Sequence, residues 1–499
     1  MRIFVNKLNL LIGELIEFLI SSPSKKNRWL TWLYLILLFL AGAFLFRQFL
    51  YYQGETILFQ DWTEVTLPRL TFLKNAVSNN LLPLHSATEL FMGNIRSTRY
   101  LAIPDAILSP QIVLLKWVSI DQFIQIHAIL IYSLGFLGLL ALQRKFKLSP
   151  LTFTIFFVFF FFNGHILAHL SIGHLTWASC FLFSWFILII TDLLDGKGGW
   201  KWNAQMAGFL FLMLQEGGYH QVVYCLIFIG LLALFVPEKF WVLSKAAIAA
   251  VLLGAVRLMP EISLLGNFNT IFLAGYSNIL TIWNGLVSIE KPGISILIEN
   301  TVKKIGLWEV TFFVGGVGAI FILYFGFVAP LSHKNAGAPH AYTKILAPVL
   351  GIVLLSMQQS YRFLRMLVPL PIFTGERVAS RMIIVAFVLI LLLAALEFQT
   401  WLDSRKDRRS SLALSLIILG IGLNDLYQNF LTWKLTNSST AFPVENFVPG
   451  NWSVANNLTD SLYLNLVVVG LVITIVTAVF LFTMIWRDQH PHLKITSQN

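Results

Sequence analysis

Asp61 and Glu64, in the stretch Gln60-Asp61-Trp62-Thr63-Glu64, are the residues of this chain best placed for acid–base chemistry. They follow directly on the first long apolar segment, so a carboxylate is expected where a membrane span meets water. At the mouth of an apolar cleft a carboxylate has its pKa raised and can take a proton from an acceptor hydroxyl. Asp61 is the first candidate. Glu64 is the second, because two residues three apart share a face if the segment is helical. The competing reading makes Asp61 a helix-end carboxylate that accepts from nearby backbone N–H groups.

Arginines form a second set. Arg362 and Arg365 are spaced to share a helix face, as are Arg377 and Arg381. Paired guanidinium groups hold a phosphate through paired hydrogen bonds, giving orientation as well as charge. Arg257 joins them as a candidate phosphate ligand, and Trp62, Glu216, Tyr219, His220, Glu261 and Glu309 are expected to line the pocket. The competing reading has the arginines anchored to anionic headgroups or paired with Glu376 and other carboxylates. His165, His169 and His174 suggest a metal, but His165-Ile166-Leu167-Ala168-His169 lacks the acid that a metalloprotease carries beside its first histidine. No metal ligand is assigned. The histidines are expected to be hydrogen-bonded at a span end or to line a pocket.

These residues need a membrane scaffold to position them. The chain has 499 residues, 57% hydrophobic and 12% charged, against about 25% charged in a soluble domain. The formal net charge of +11 does not point to nucleic acid, because most of the basic residues lie in short loops between apolar segments, as the positive-inside bias requires. Cys180 and Cys225 have neither zinc-site spacing nor a disulfide framework.

About twelve segments approach the apolar length needed to cross a bilayer. They lie near 29–50, 122–142, 151–168, 175–191, 203–214, 221–236, 242–259, 310–330, 345–357, 382–400, 411–428 and 464–486. The expected class is therefore an all-α polytopic membrane protein, with a long first outer loop carrying short amphipathic helices. Residues 1–27 read as a cytoplasmic interfacial helix and 28–430 as a transmembrane core with outer loops at 51–118, 261–309 and 358–381. Residues 431–499 read as a last outer segment, a final span and a cytoplasmic tail. Basic clusters at Lys25–Arg28, Arg144–Lys147 and Arg405–Arg409 place both termini in the cytoplasm. Mixed acids and bases then gather on the outer side.

A long outer loop that opens with an acid after the first span resembles the GT-C superfamily of membrane glycosyltransferases, and more closely its YfhO-like family. The matching pieces are Asp61-Trp62, Leu82-Pro83-Leu84, Gln215-Glu216-Gly217-Gly218-Tyr219-His220-Gln221, Arg257-Leu258-Met259-Pro260, Trp308-Glu309 and Arg377-Val378-Ala379-Ser380-Arg381. The resemblance implies a GT-C-like fold and transfer of a sugar from a polyprenyl-phosphate donor to a glycan, lipid or polymer acceptor outside a bacterial inner membrane. Asp61 would then be the base and basic residues would hold the donor phosphate. Membrane lipids are the other expected partners. No cofactor is required, although a divalent metal is compatible with the chemistry. The rival classes are a flippase of lipid-linked glycans, which should show related halves and charges near mid-membrane, and a non-catalytic scaffold for envelope assembly.

Overall fold

Helices dominate the computed structural model, which describes residues 12–23, 27–52, 56–92, 95–267, 272–297, 304–332, 338–369, 371–446 and 450–490. Residues 12–20 are helical, and the earlier part of the expected interfacial helix lies outside the described residues. Among the described residues, eight helices are long and apolar enough to cross a membrane, which marks an integral membrane protein. They are Arg28–Phe49 (α1), Ile120–Phe146 (α2), Pro150–Ile172 (α3), Leu175–Leu194 (α4), Gly315–Ser332 (α5), Ala379–Ser404 (α6), Arg408–Trp433 (α7) and Ser461–Gln489 (α8).

Of the about twelve spans expected, eight or nine have the length and composition to cross a membrane among the described residues. Trp200–Gln215 has 16 residues, about 24 Å at 1.5 Å per residue and short of a core about 30 Å thick. Tyr219–Phe235 and Pro237–Leu253 bend by 118° at their break, so they count as one span at most and bring the number to nine. Ala341–Leu355 is a shorter apolar helix. Hydropathy found all twelve helical segments, but it does not report where a helix stops or bends.

Local sequence sets the breaks. Ser119 opens α2 with a capping box, its side chain accepting from the Gln122 amide while Gln122 returns a bond to the Ser119 amide. In α3 the Asn163 side chain accepts from the Ile166 amide and starts a second helical segment, while a Cβ at Gly164 would run into Phe313 and Thr311. Phe156–Phe162 lies on the buried first half of α3, and the whole apolar window of α3 is enclosed by protein. Such Phe runs suit lipid contact or helix packing, and here they pack. Only 17%, 22% and 28% of the windows of α8, α1 and α7 are buried, so those three helices present most surface for lipid.

The long loop after α1 departs in part from the expected amphipathic helices. Besides short helices at Leu67–Ser78 and Pro110–Lys116, it carries an antiparallel hairpin of β1 (His85–Met92) and β2 (Ile95–Arg99). Asp460, just before α8, clasps this hairpin, accepting from Arg99 Nε at 2.7 Å and approaching His85 Nε2 at 3.1 Å. A second small hairpin, β3 (Ser295–Leu297) with β4 (Lys304–Gly306), lies in the segment before α5.

Gly173, between α3 and α4, has φ +109°, and a Cβ there would overlap the Trp62 amide nitrogen and the Asp61 carbonyl carbon. The left-handed backbone favours glycine and the close approach requires it. Gly173→Ala is expected to cost at least ~2 kcal/mol through strain and displacement of the Asp61 turn, read as a lowered melting temperature of the detergent-solubilised protein.

Candidate functional site

Gln60 presents Asp61 in a tight turn. Its φ is +50°, a sparsely populated region for a residue with a side chain, and its carbonyl accepts from the Thr63 amide at 3.0 Å. Trp62 anchors the turn, its indole N–H donating to Ser171 O at 2.8 Å. Trp62 is fully buried, so it is a structural peg and not the pocket wall expected from the sequence. The Thr66 hydroxyl adds a bond to Gly173 O at 2.6 Å.

Asp61 occupies the helix N-cap position but makes no capping bond there. Its Oδ2 instead accepts from His174 Nε2 at 2.5 Å, which replaces the helix-capping alternative. The side chain is about one-third exposed, at 36%. Burial opposes the ionised form, but the His174 hydrogen bond and charge, helped by Arg381 and Arg69, hold the carboxyl below its usual range. The expectation of a raised pKa is therefore corrected: the partners win because they bind the anion directly. Glu64 is exposed on the following turn and makes no comparable contact with this cluster.

From Asp61 a polar chain runs inward. His174 Nδ1 lies 2.7 Å from His169 Nδ1, and His169 Nε2 faces Glu309 Oε2 at 4.0 Å. Glu309 is gripped by Arg381 through Nε at 2.6 Å and Nη2 at 2.5 Å. Burial works against the Glu309 charge, but the Arg381 guanidinium outweighs it and lowers the carboxyl pKa. Trp177 lies against the histidines and Arg381. Its ring is 4.4 Å from His169, 5.2 Å from His174 and 5.8 Å from His220, and the Arg381 guanidinium carbon sits 4.9 Å from its centroid. The indole N–H donates to His165 Nε2 at 3.1 Å.

A second buried acid joins from the other side. Glu376 Oε2 meets His220 Nδ1 at 2.8 Å and accepts from the Tyr224 hydroxyl at 2.9 Å, while Oε1 accepts from the Val378 amide at 2.9 Å. Burial raises its pKa, but His220, Arg381 and that amide together bring it down to about 2. Tyr219 packs edge-on against His220.

Beside the Asp61 turn is a cavity of about 490 Å³ whose walls include Gln60, Trp308, Glu309, Arg377 and Arg381. The structure thus brings together Asp61, His220, Glu309, Arg377 and Arg381 of the expected set. It separates the rest. Arg362 is exposed, and Arg365 donates to the Phe373 and Glu376 carbonyls, so this pair shapes its own loop instead of facing the cavity. Arg257 is fully buried and donates to Ile103 O at 2.9 Å. Glu261 is buried in the field of Arg257, and burial raises its pKa well above the ordinary value. Glu216 accepts from Gln111 Nε2 at 2.7 Å and from the Ser109 hydroxyl at 3.2 Å. Neither Glu216 nor Glu261 lines this cavity.

Sequence reasoning missed the pairing of His174 with Asp61, the central place of Trp177 and the engagement of Glu376. The visible signal was His169 and His174 followed closely by Trp177, but spacing does not reveal a partner from another loop. Among the described residues, no three His, Cys, Asp or Glu side chains are arranged to hold one metal ion. Compared with known proteins, the chain matches no family model, no curated protein and no solved structure.

Burial raises the Glu216 carboxyl from 4.5 to about 7, so the folded state binds this proton more tightly than the unfolded chain. Its contribution to stability is full below the unfolded value and is lost as pH rises through the folded one. Glu216→Gln is expected to flatten that loss, by up to ~3 kcal/mol, in melting temperatures followed from about pH 4 to pH 8.

Proposed function

We propose that this chain is a membrane glycosyltransferase with a GT-C-like architecture. It moves a sugar from a polyprenyl-phosphate donor to a glycan, lipid or polymer acceptor on the outer side of a bacterial inner membrane, with both termini in the cytoplasm. The observation that carries this reading is the one-third-exposed Asp61 carboxylate beside a cavity walled by Arg377 and Arg381. A base and fixed cations at one site suit a displacement that takes a proton from the nucleophile and releases a phosphate.

In the proposed reaction Asp61 accepts the acceptor proton as the acceptor oxygen attacks the sugar carbon. The bond from that carbon to the phosphate oxygen breaks on the opposite face, inverting the centre. Arg377 stabilises the charge on the departing phosphate, because a cation held in place needs little reorganisation as charge develops. Arg381, already committed to Glu309, adds its field. His174 orients the carboxylate and keeps it anionic. The reaction requires no cofactor.

The rival reading as a flippase gains nothing specific from the geometry, because the His174, Glu309 and Glu376 network belongs to one end of the helices. Asp61→Asn keeps the size of the side chain but removes the base. In purified protein given a labelled polyprenyl-phosphate sugar and cell-envelope acceptor, turnover is expected to fall roughly 10²- to 10⁴-fold; wild-type turnover would remove Asp61 from this role.

A further inference from the structure

The cavity beside Asp61 has a feature that its acid and arginines do not explain, a fixed aromatic wall. Trp308 is half-buried, and its indole N–H donates to Glu309 Oε1 at 3.2 Å. Its ring meets Phe442 edge-on at 6.0 Å. A Cβ at Gly306 would collide with that ring, so glycine at this position lets the indole lie across the end of β4. The ring is therefore oriented before any ligand arrives.

Polar groups line the same space. Gln60 and Ser295 offer an amide and a hydroxyl, and Lys304, exposed at the start of β4, places an ammonium group on the wall. The charged lining residues are Lys304, Arg377, Arg381 and Glu309, and the Arg381–Glu309 pair is internally neutral. At about 490 Å³ the cavity falls within the ~300–1,000 Å³ of small-molecule pockets. The apolar face of a pyranose ring carries C–H groups that suit the electron-rich face of an indole. Its hydroxyls suit an amide and a serine, and a phosphate suits lysine and arginine.

We propose that this cavity binds a phosphate-bearing sugar, with the ring stacked on Trp308 and the phosphate held by Lys304. The proposal deepens the transferase reading and rests on it for the sugar's fate, but binding itself needs no turnover. The phosphate belongs either to the lipid-linked donor or to a phosphorylated glycan acceptor, and the recognition chemistry is the same for both.

Isothermal titration of the full-length protein in detergent tests it, using a hexose 1-phosphate, the matching methyl hexoside and inorganic phosphate as separate probes. The hexose 1-phosphate is expected to bind more tightly than either fragment. Trp308→Leu should weaken it about tenfold and Trp308→Phe much less, because the phenyl ring keeps an aromatic face. Lys304→Gln, a change at an exposed position, should weaken the hexose 1-phosphate about tenfold and leave the methyl hexoside unchanged. Competition by a short-chain polyprenyl-phosphate sugar would assign the phosphate to the donor, and competition only by a phosphorylated glycan would assign it to the acceptor. No binding by the wild type, equal binding of inorganic phosphate, or isotherms unaltered by both Trp308→Leu and Lys304→Gln would overturn the proposal. Asp61→Asn should bind the hexose 1-phosphate like the wild type, so a failure of the transfer chemistry is distinguishable from a failure of this site.

Discussion

The charged end of this bundle is assembled on the indole of Trp177. Three imidazoles and one guanidinium lie within 6 Å of its ring; His169 and His174 come from the segment around Trp177, and His220 and Arg381 from two others. Burying so many polar groups is costly unless every charge finds a partner. Trp177 supplies an apolar floor that is also an electron-rich face for Arg381, an attraction that reaches ~2 kcal/mol once water is excluded. Arg381 then neutralises Glu309, while His220 and the Tyr224 hydroxyl hydrogen-bond Glu376. The network is stable as a set, and removing one member leaves another charge stranded.

This explains how a carboxylate near water stays ionised in an otherwise apolar protein. Asp61 sits on a turn held by Trp62 below and by the close pass of Gly173 beside it. That pass brings His174, the next residue, to the carboxylate. Local backbone geometry therefore favours the ionised form of the carboxylate that sits next to the cavity wall. The same turn puts Gln60 on the cavity wall, so one strained residue links the scaffold to the ligand space.

Hydrophobic runs in the sequence marked the helices long enough to cross a membrane, and the acid after the first of them lies beside a buried polar cluster. What hydropathy left obscure was termination. Trp200–Gln215, which opens on Trp200-Lys201-Trp202-Asn203, is a turn or more too short for a span, and the chain bends by 118° between Tyr219–Phe235 and Pro237–Leu253. The pairings were also hidden. Asp61 and His174 are 113 residues apart, and no local pattern announces a contact at that distance. Arg362 and Arg381 looked equivalent by spacing, yet one loop turned its arginine outward and the other inward. The β3–β4 hairpin carries no strong alternation, so Lys304 and its place on the cavity wall could not be foreseen.

The clasp of Asp460 on Arg99 and His85 joins segments 361 residues apart. During synthesis, the first hairpin has to wait for its counterpart until some 361 further residues have left the ribosome. The lipid-facing final helix brings that counterpart with it. Arrival of α8 is therefore the event that locks the first loop, and a chain truncated before it would carry its Asp61 end half-assembled into the bilayer.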